Sequence, residues 1–198
     1  MLLLTVLTAC WLTAGCGQRE RHATADSTAT AAAGTATGDS VVTAAAIGKL
    51  LRQGMAHDKA GRYAQAARCY RLAAMMGDDK AQNNLGVLYK DGQGVSQDYA
   101  EAARWFSKAA RKGNVLAQSN LAWLFQNGLG VEKDYPKAMR LYRQCAARNH
   151  AAALNNLGTM FLHGMGVPCD SDSALHYFTL AAEQGLPIAV QNKQRLEN

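Results

Sequence analysis

Few residues in this 198-residue chain are equipped for covalent or metal chemistry. His163, Cys169 and His176 are of the types that hold zinc. Yet no Cys-x-x-Cys or His-x-x-x-His spacing brings two such ligands to one side of a helix or turn. No Ser or Cys stands beside a neighbour that would activate it as a nucleophile, and the Gly-x-Gly pairs read as turns, not as phosphate cradles. The sequence therefore predicts no catalytic residue, no metal and no cofactor. What remains is the chemistry of contact: amides that donate and accept together, among them Asn83, Asn84, Asn120, Asn155 and Asn156, and one large aromatic, Trp123.

Those amides are periodic, and the period names the elements that position them. Asn84, Asn120 and Asn156 are 36 residues apart, as are Ala81, Ala117, Ala153 and Ala189. The loop Gly92-Gln93-Gly94-Val95 returns as Gly128-Leu129-Gly130-Val131 and Gly164-Met165-Gly166-Val167. Such repetition without insertion is the signature of a solenoid of stacked units. Within each unit Leu85, Leu88 and Tyr89, then Leu121, Leu124 and Phe125, then Leu157, Met160 and Phe161 mark the buried stripe of a first helix. Gly92, Gly128 and Gly164 end these helices by accepting a positive φ. Asp98, Asp134 and Asp170 cap the second helices, Glu101 could complete a capping box with Asp98, and Pro136 suits a first turn. The second helices carry small residues such as Ala109 and Ala146 for close approach, with Cys69 and Cys145 read as packing residues.

The N-terminus differs. Residues 2–16 are uncharged and apolar, too short to span a bilayer comfortably but suited to a secretory hydrophobic region. Ala14-Gly15-Cys16 resembles a bacterial lipobox, making Cys16 the expected lipidation site. Leu7-Thr8-Ala9-Cys10 is the alternative; it fits the four-residue box better but leaves a very short apolar region. No basic residue precedes Arg19. Residues 17–43, rich in Ala, Thr, Gly and Ser, read as a disordered tether. The expected order is signal peptide and lipobox 1–16, tether 17–43, a degenerate repeat 44–80, full repeats 81–116, 117–152 and 153–188, and a capping helix 189–198.

The string from Ala81 to Ala110, with Asn84-Leu85-Gly86, Tyr89, Gly92, Gly94-Val95, Asp98, Ala102, Trp105 and Ala109, resembles the Sel-one-like repeat, a relative of the tetratricopeptide repeat. Gly54, Gly61, Tyr63, Ala66, Tyr70 and Ala73 carry a plainer tetratricopeptide-like pattern. The resemblance implies an all-α, right-handed α/α superhelical solenoid whose concave side, lined by first helices, holds a protein or peptide. The residues between the buried stripes should face that groove: Met55 and Asp58 in the first unit, Asn83, Val87 and Lys90 in the second, Ser119, Trp123 and Gln126 in the third, Asn155, Thr159 and Leu162 in the fourth. Trp123 replaces the Val87 and Thr159 of its neighbours, which marks it as a candidate docking anchor; the alternative is core packing against Phe125 or the adjacent first helix. Asn84, Asn120 and Asn156 have two readings: a grip on a peptide backbone or, favoured by their strict repetition, bonds to the backbones of neighbouring repeats.

The net charge of +6 is carried by basic residues whose longest runs are pairs such as Arg111-Lys112, a poor basis for nucleic-acid binding. A chain exported with Cys16 lipidated would retain Cys69, Cys145 and Cys169, an odd number that leaves a thiol unpaired. The reading is a non-catalytic interaction scaffold, an outer-membrane lipoprotein facing the periplasm, or secreted. The alternatives are an exported factor acting on a host or neighbouring cell, and, by resemblance to cysteine-rich relatives, a cell-wall- or penicillin-binding protein or β-lactamase-like enzyme.

Overall fold

The computed structural model describes residues 33–198, and among these the regular structure is all α-helix. The signal segment, Cys10, Cys16 and the first part of the tether lie outside the described residues. Asp39–Asn198 form one compact unit. The described helices are α1 (Ala33–Lys59), α2 (Tyr63–Met75), α3 (Asp79–Asp91), α4 (Tyr99–Arg111), α5 (Val115–Asn127), α6 (Tyr135–Ala146), α7 (Ala151–Leu162), α8 (Ser171–Glu183) and α9 (Pro187–Glu197). They pair as four hairpins, α1–α2 to α7–α8, each stacked on the next, with α9 opening a further turn against α8. Odd-numbered helices form one layer of the solenoid and even-numbered helices the other.

Local chemistry sets the helix ends. Asp98, Asp134 and Asp170 accept from the first-turn amides of α4, α6 and α8 at 2.8–3.1 Å. Glu101 does not reach back to close a capping box; its carboxylate takes Arg104 at 2.6 Å instead. The first helices have their own caps, also 36 residues apart: Asp78, Asn114 and His150 accept from Ala81, Ala117 and Ala153. Gly92, Gly128 and Gly164 take φ of 69°, 69° and 61°, the left-handed turn expected of them.

The second glycine of each loop has a different task. A Cβ on Gly94 would overlap the backbone of Tyr63 and Ala64, and one on Gly130 the backbone of Tyr99 and Ala100. This loop is laid onto the start of the preceding unit's second helix, and only a glycine fits between them. Inside each hairpin, Gly54, Gly86, Ala122 and Gly158 face a fully buried ring: Tyr70, Phe106, Tyr142 and Phe178 respectively.

One expectation fails here. Residues 33–43, assigned to the tether, have helical backbone as the start of α1. Further along the same helix, Ile47, Leu50 and Leu51 pack on the α2–α3 core. The repeat phase also differs: the first helices begin at Asp79, Val115 and Ala151, two residues ahead of the units drawn from Ala81, Ala117 and Ala153.

Candidate binding groove

The layer of first helices is where docking was expected, and its charge pattern is distinctive. Neither α5 nor α7 contains a single Asp, Glu, Lys or Arg. The wall they present is built from amides, hydroxyls and apolar groups.

Three of the expected groove residues are not available to a partner. Asn83, Ser119 and Asn155 are buried, at 4%, 8% and 8% exposure. For the two asparagines the physical reason is the neighbouring repeat. Asn120 donates from Nδ2 to Asn83 Oδ1 at 3.2 Å, and Asn192 to Asn155 Oδ1 at 2.9 Å. Each amide pair ties two first helices together, and a buried amide left unpaired would cost about 1–3 kcal/mol. Of the asparagines 36 residues apart, Asn120 meets the preceding repeat through its side chain rather than through backbone.

Asp58 and Gln126 are also partly committed, and to the same kind of partner. Tyr70 donates its hydroxyl to Asp58 Oδ2 at 3.2 Å, and Tyr142 donates to Gln126 Oε1 at 3.0 Å. Burial first, and for Tyr70 the neighbouring Asp58 carboxylate next, push both phenols well above the usual tyrosine range, so they stay donors. The hairpins with Phe106 and Phe178 have Lys90 and Leu162 at the matching positions, which need no hydroxyl. The unit therefore has two variants: tyrosine with an acceptor, or phenylalanine without one.

The row Met55, Val87, Trp123 and Thr159 is accessible. Met55 is 53% exposed, and the other three are half-buried. Trp123 and Val87 rest one side on the α4–α5 core, so the indole is a partly covered platform. Lys90 extends over it, its Nζ 5.7 Å from the ring centroid and 3.1 Å from Asp91. Thr159 returns its hydroxyl to the Asn155 carbonyl at 3.1 Å. Leu162 is half-buried at the C-terminal end of α7. At the N-terminal end of the groove a cavity of about 470 Å³ is bounded by Leu51, Met55, Lys80, Asn84, Asn114 and Leu116, the last 54% exposed.

Two further sets of contacts hold this wall at a fixed spacing, and the sequence reading missed both. Lys112 donates to the Gly77 carbonyl, and Arg148 to the Gly113 carbonyl at 2.6 Å. Asn114, besides capping α5, donates to Asp79 at 2.7 Å. The signal was present as basic residues 35 positions after a glycine, but it has meaning only once the units are stacked. His163, Cys169 and His176 do not converge: among the described residues no group of three His, Cys, Asp or Glu is placed to hold a metal ion. Cys145 is buried with its thiol near the Val115 carbonyl, Cys69 half-buried and Cys169 exposed. No described helix is long and apolar enough to cross a membrane.

Helical hairpins stacked one on the next at a 36-residue period define a repeat scaffold. The Sel1 repeat model matches residues 52–78, 79–114, 115–150 and 151–186, and the chain belongs to that family. Its repeats generally serve as protein-interaction scaffolds. The first unit falls under the same model although it lacks the Gly-x-Gly-Val loop. Among solved structures, a Sel1 repeat protein from Oxalobacter formigenes is 32% identical with a TM-score of 0.67, over 72% of this chain and 60% of that one. The c5321 protein, a protective antigen of uropathogenic Escherichia coli strains with the same repeat fold, is 36% identical with a TM-score of 0.58, over 64% of this chain and 27% of that one. A putative Sel1 repeat protein from Klebsiella pneumoniae shares the fold at 21% identity and a TM-score of 0.50, over 75% of this chain and 76% of that one. The chain thus spans under two thirds of the first two relatives. No curated protein matches it in sequence.

Proposed function

We propose that this protein is a non-catalytic scaffold of the bacterial cell envelope that holds a segment of a partner protein along its first-helix layer. The observation that carries the reading is the uncharged wall of α5 and α7, with Trp123 as its largest accessible side chain. Such a wall favours a partner segment that offers apolar anchors and backbone polar groups rather than fixed charge. Met55 and Leu116 extend the apolar contact to the cavity at the N-terminal end. The envelope address rests on the apolar segment ending at Cys16.

A second reading, an exported factor acting on host or neighbouring cells, is favoured by the likeness to an antigen of uropathogenic strains. Both readings use the same groove. The test is crosslinking and pull-down from envelope fractions and from culture medium, comparing the parent with Trp123→Val, which borrows the residue of the preceding repeat. A partner captured by the parent and lost with the variant, at an unchanged melting temperature, is the expected result. Undiminished capture by Trp123→Val would refute the role of this wall.

A further inference from the structure

The even-numbered helices carry the charge that α5 and α7 lack. Arg68, Arg104 and Arg140 stand one repeat apart on α2, α4 and α6, all exposed. Neither α2 nor α6 contains an Asp or Glu, and α4 contains only Glu101, which Arg104 already meets. Among the described residues no carboxylate forms an ion pair with Arg68, Arg71, Arg140 or Arg143. Basic residues that are scattered along the sequence therefore line up across three helices.

A second feature sits on the same layer. On α2, Arg68, Arg71, Leu72 and Met75 lie within about 100° of arc at 3.6 residues per turn. Leu72 is 53% and Met75 72% exposed, and Met76 beyond them is 41% exposed. The following repeat places Lys108, Arg111 and Lys112 at these three positions. The first unit has apolar side chains where its neighbour has cations, so an apolar tip stands beside a cationic row.

We propose that the outer face of α2, α4 and α6 docks on an anionic phospholipid bilayer, with Leu72 and Met75 entering the interface and the arginine row meeting the headgroups. Peripheral membrane binding needs both components, apolar side chains at the headgroup–acyl boundary and cations over anionic lipid. A nucleic acid would use the arginines but gives exposed Leu72 and Met75 nothing to do. The row also lacks a free aromatic for base stacking: Trp105 is half-buried, with Lys108 Nζ 4.0 Å above its ring. The groove lies on the other layer and stays open while this face is occupied. The proposal rests on the folded unit alone and does not require a lipid anchor.

The test uses the full chain with Cys10→Ser and Cys16→Ser, so that no acyl chain contributes. Co-sedimentation is measured with phosphatidylcholine vesicles, alone and with about one third phosphatidylglycerol. The readout is the gain in binding due to the anionic lipid, since any insertion of the apolar leader is common to both vesicles. The expected gain is large and falls with salt. Arg68→Gln/Arg104→Gln/Arg140→Gln should lower affinity for anionic vesicles about 100-fold, at roughly fivefold per cation. Its circular dichroism should not change, because the three side chains are exposed. Leu72→Ser/Met75→Ser should weaken binding at every salt concentration and leave the salt dependence in place. Equal binding of parent and triple variant overturns the proposal. So does binding that ignores lipid charge, or displacement from vesicles by an equal charge of polyuridylate, which would assign the face to nucleic acid.

Discussion

Gly130 offers the sharpest test of how the repeats are joined. It lies at φ 66°, and a Cβ there would overlap the Tyr99 carbonyl carbon and the Ala100 nitrogen of the preceding unit. Gly113 lies at φ 83° with nothing within 4 Å of the same added atom. An alanine at either site bears the left-handed backbone penalty of about 1–2 kcal/mol. The smaller gain from a stiffer unfolded chain is common to both and cancels in the comparison. Only Gly130→Ala adds a clash with backbone, which no rotamer change can relieve; overpacking of this kind costs about 1–3 kcal/mol. Gly130→Ala should therefore lose about 2–5 kcal/mol against about 1–2 kcal/mol for Gly113→Ala. Urea unfolding followed by far-ultraviolet circular dichroism reads the difference, with Gly94→Ala as a replicate one repeat earlier. Equal losses at Gly113 and Gly130 would refute the claim that the second loop glycine exists for contact between units.

Other consequences follow from named contacts. Tyr142→Phe alone should cost about 0.5–1.5 kcal/mol, because Gln126 loses its donor. Adding Gln126→Leu recreates the Phe178–Leu162 arrangement of the fourth unit, so a double-mutant cycle should show the pair losing less than the sum of its parts. His150 is held below the ordinary histidine pKa of 6.5 by burial, and its neutral Nδ1 accepts from Ala153. Its folded form binds the proton less tightly than its unfolded form, so its contribution is complete above 6.5 and is lost as pH falls through the folded value. Melting temperature should drop as pH falls below the ordinary histidine value of 6.5, and His150→Asn, which borrows the Asn114 cap, should reduce that drop. An unchanged pH profile in the variant would show that another group is responsible. Burial pushes the Cys145 thiol up to about 11, whereas Cys169 is exposed. Iodoacetamide at about pH 8 should label Cys169 in the native protein and Cys145 only after denaturation, read by mass spectrometry of peptides.

Much of the scaffold was legible because its rules are local. A glycine accepts a positive φ, an aspartate caps the helix that follows it, and a three-four spacing buries one stripe. Gly92, Asp98, Leu85 and Leu88 need only their own neighbours in sequence to do so. Less of the groove was legible. Asn83, Ser119 and Asn155 sit on the helix face that was expected to be open, and two of them are covered by amides 37 residues away. Whether a helix face is wall or seam depends on the neighbouring unit, and that neighbour's position is no property of the segment itself.

The amino-acid order alone thus determined the 36-residue unit, its two helices, its turns and the uncharged character of α5 and α7, since each follows from contacts within a few residues. Stacking decided the rest. It separated the two roles of the loop glycines, turned asparagines into ties, paired tyrosines with acceptors, and aligned Arg68, Arg104 and Arg140 on one outer face. The physical reason is one of distance: side chains a whole repeat apart become neighbours only when hairpins pack layer on layer, and burial, pairing and charge density all depend on those neighbours.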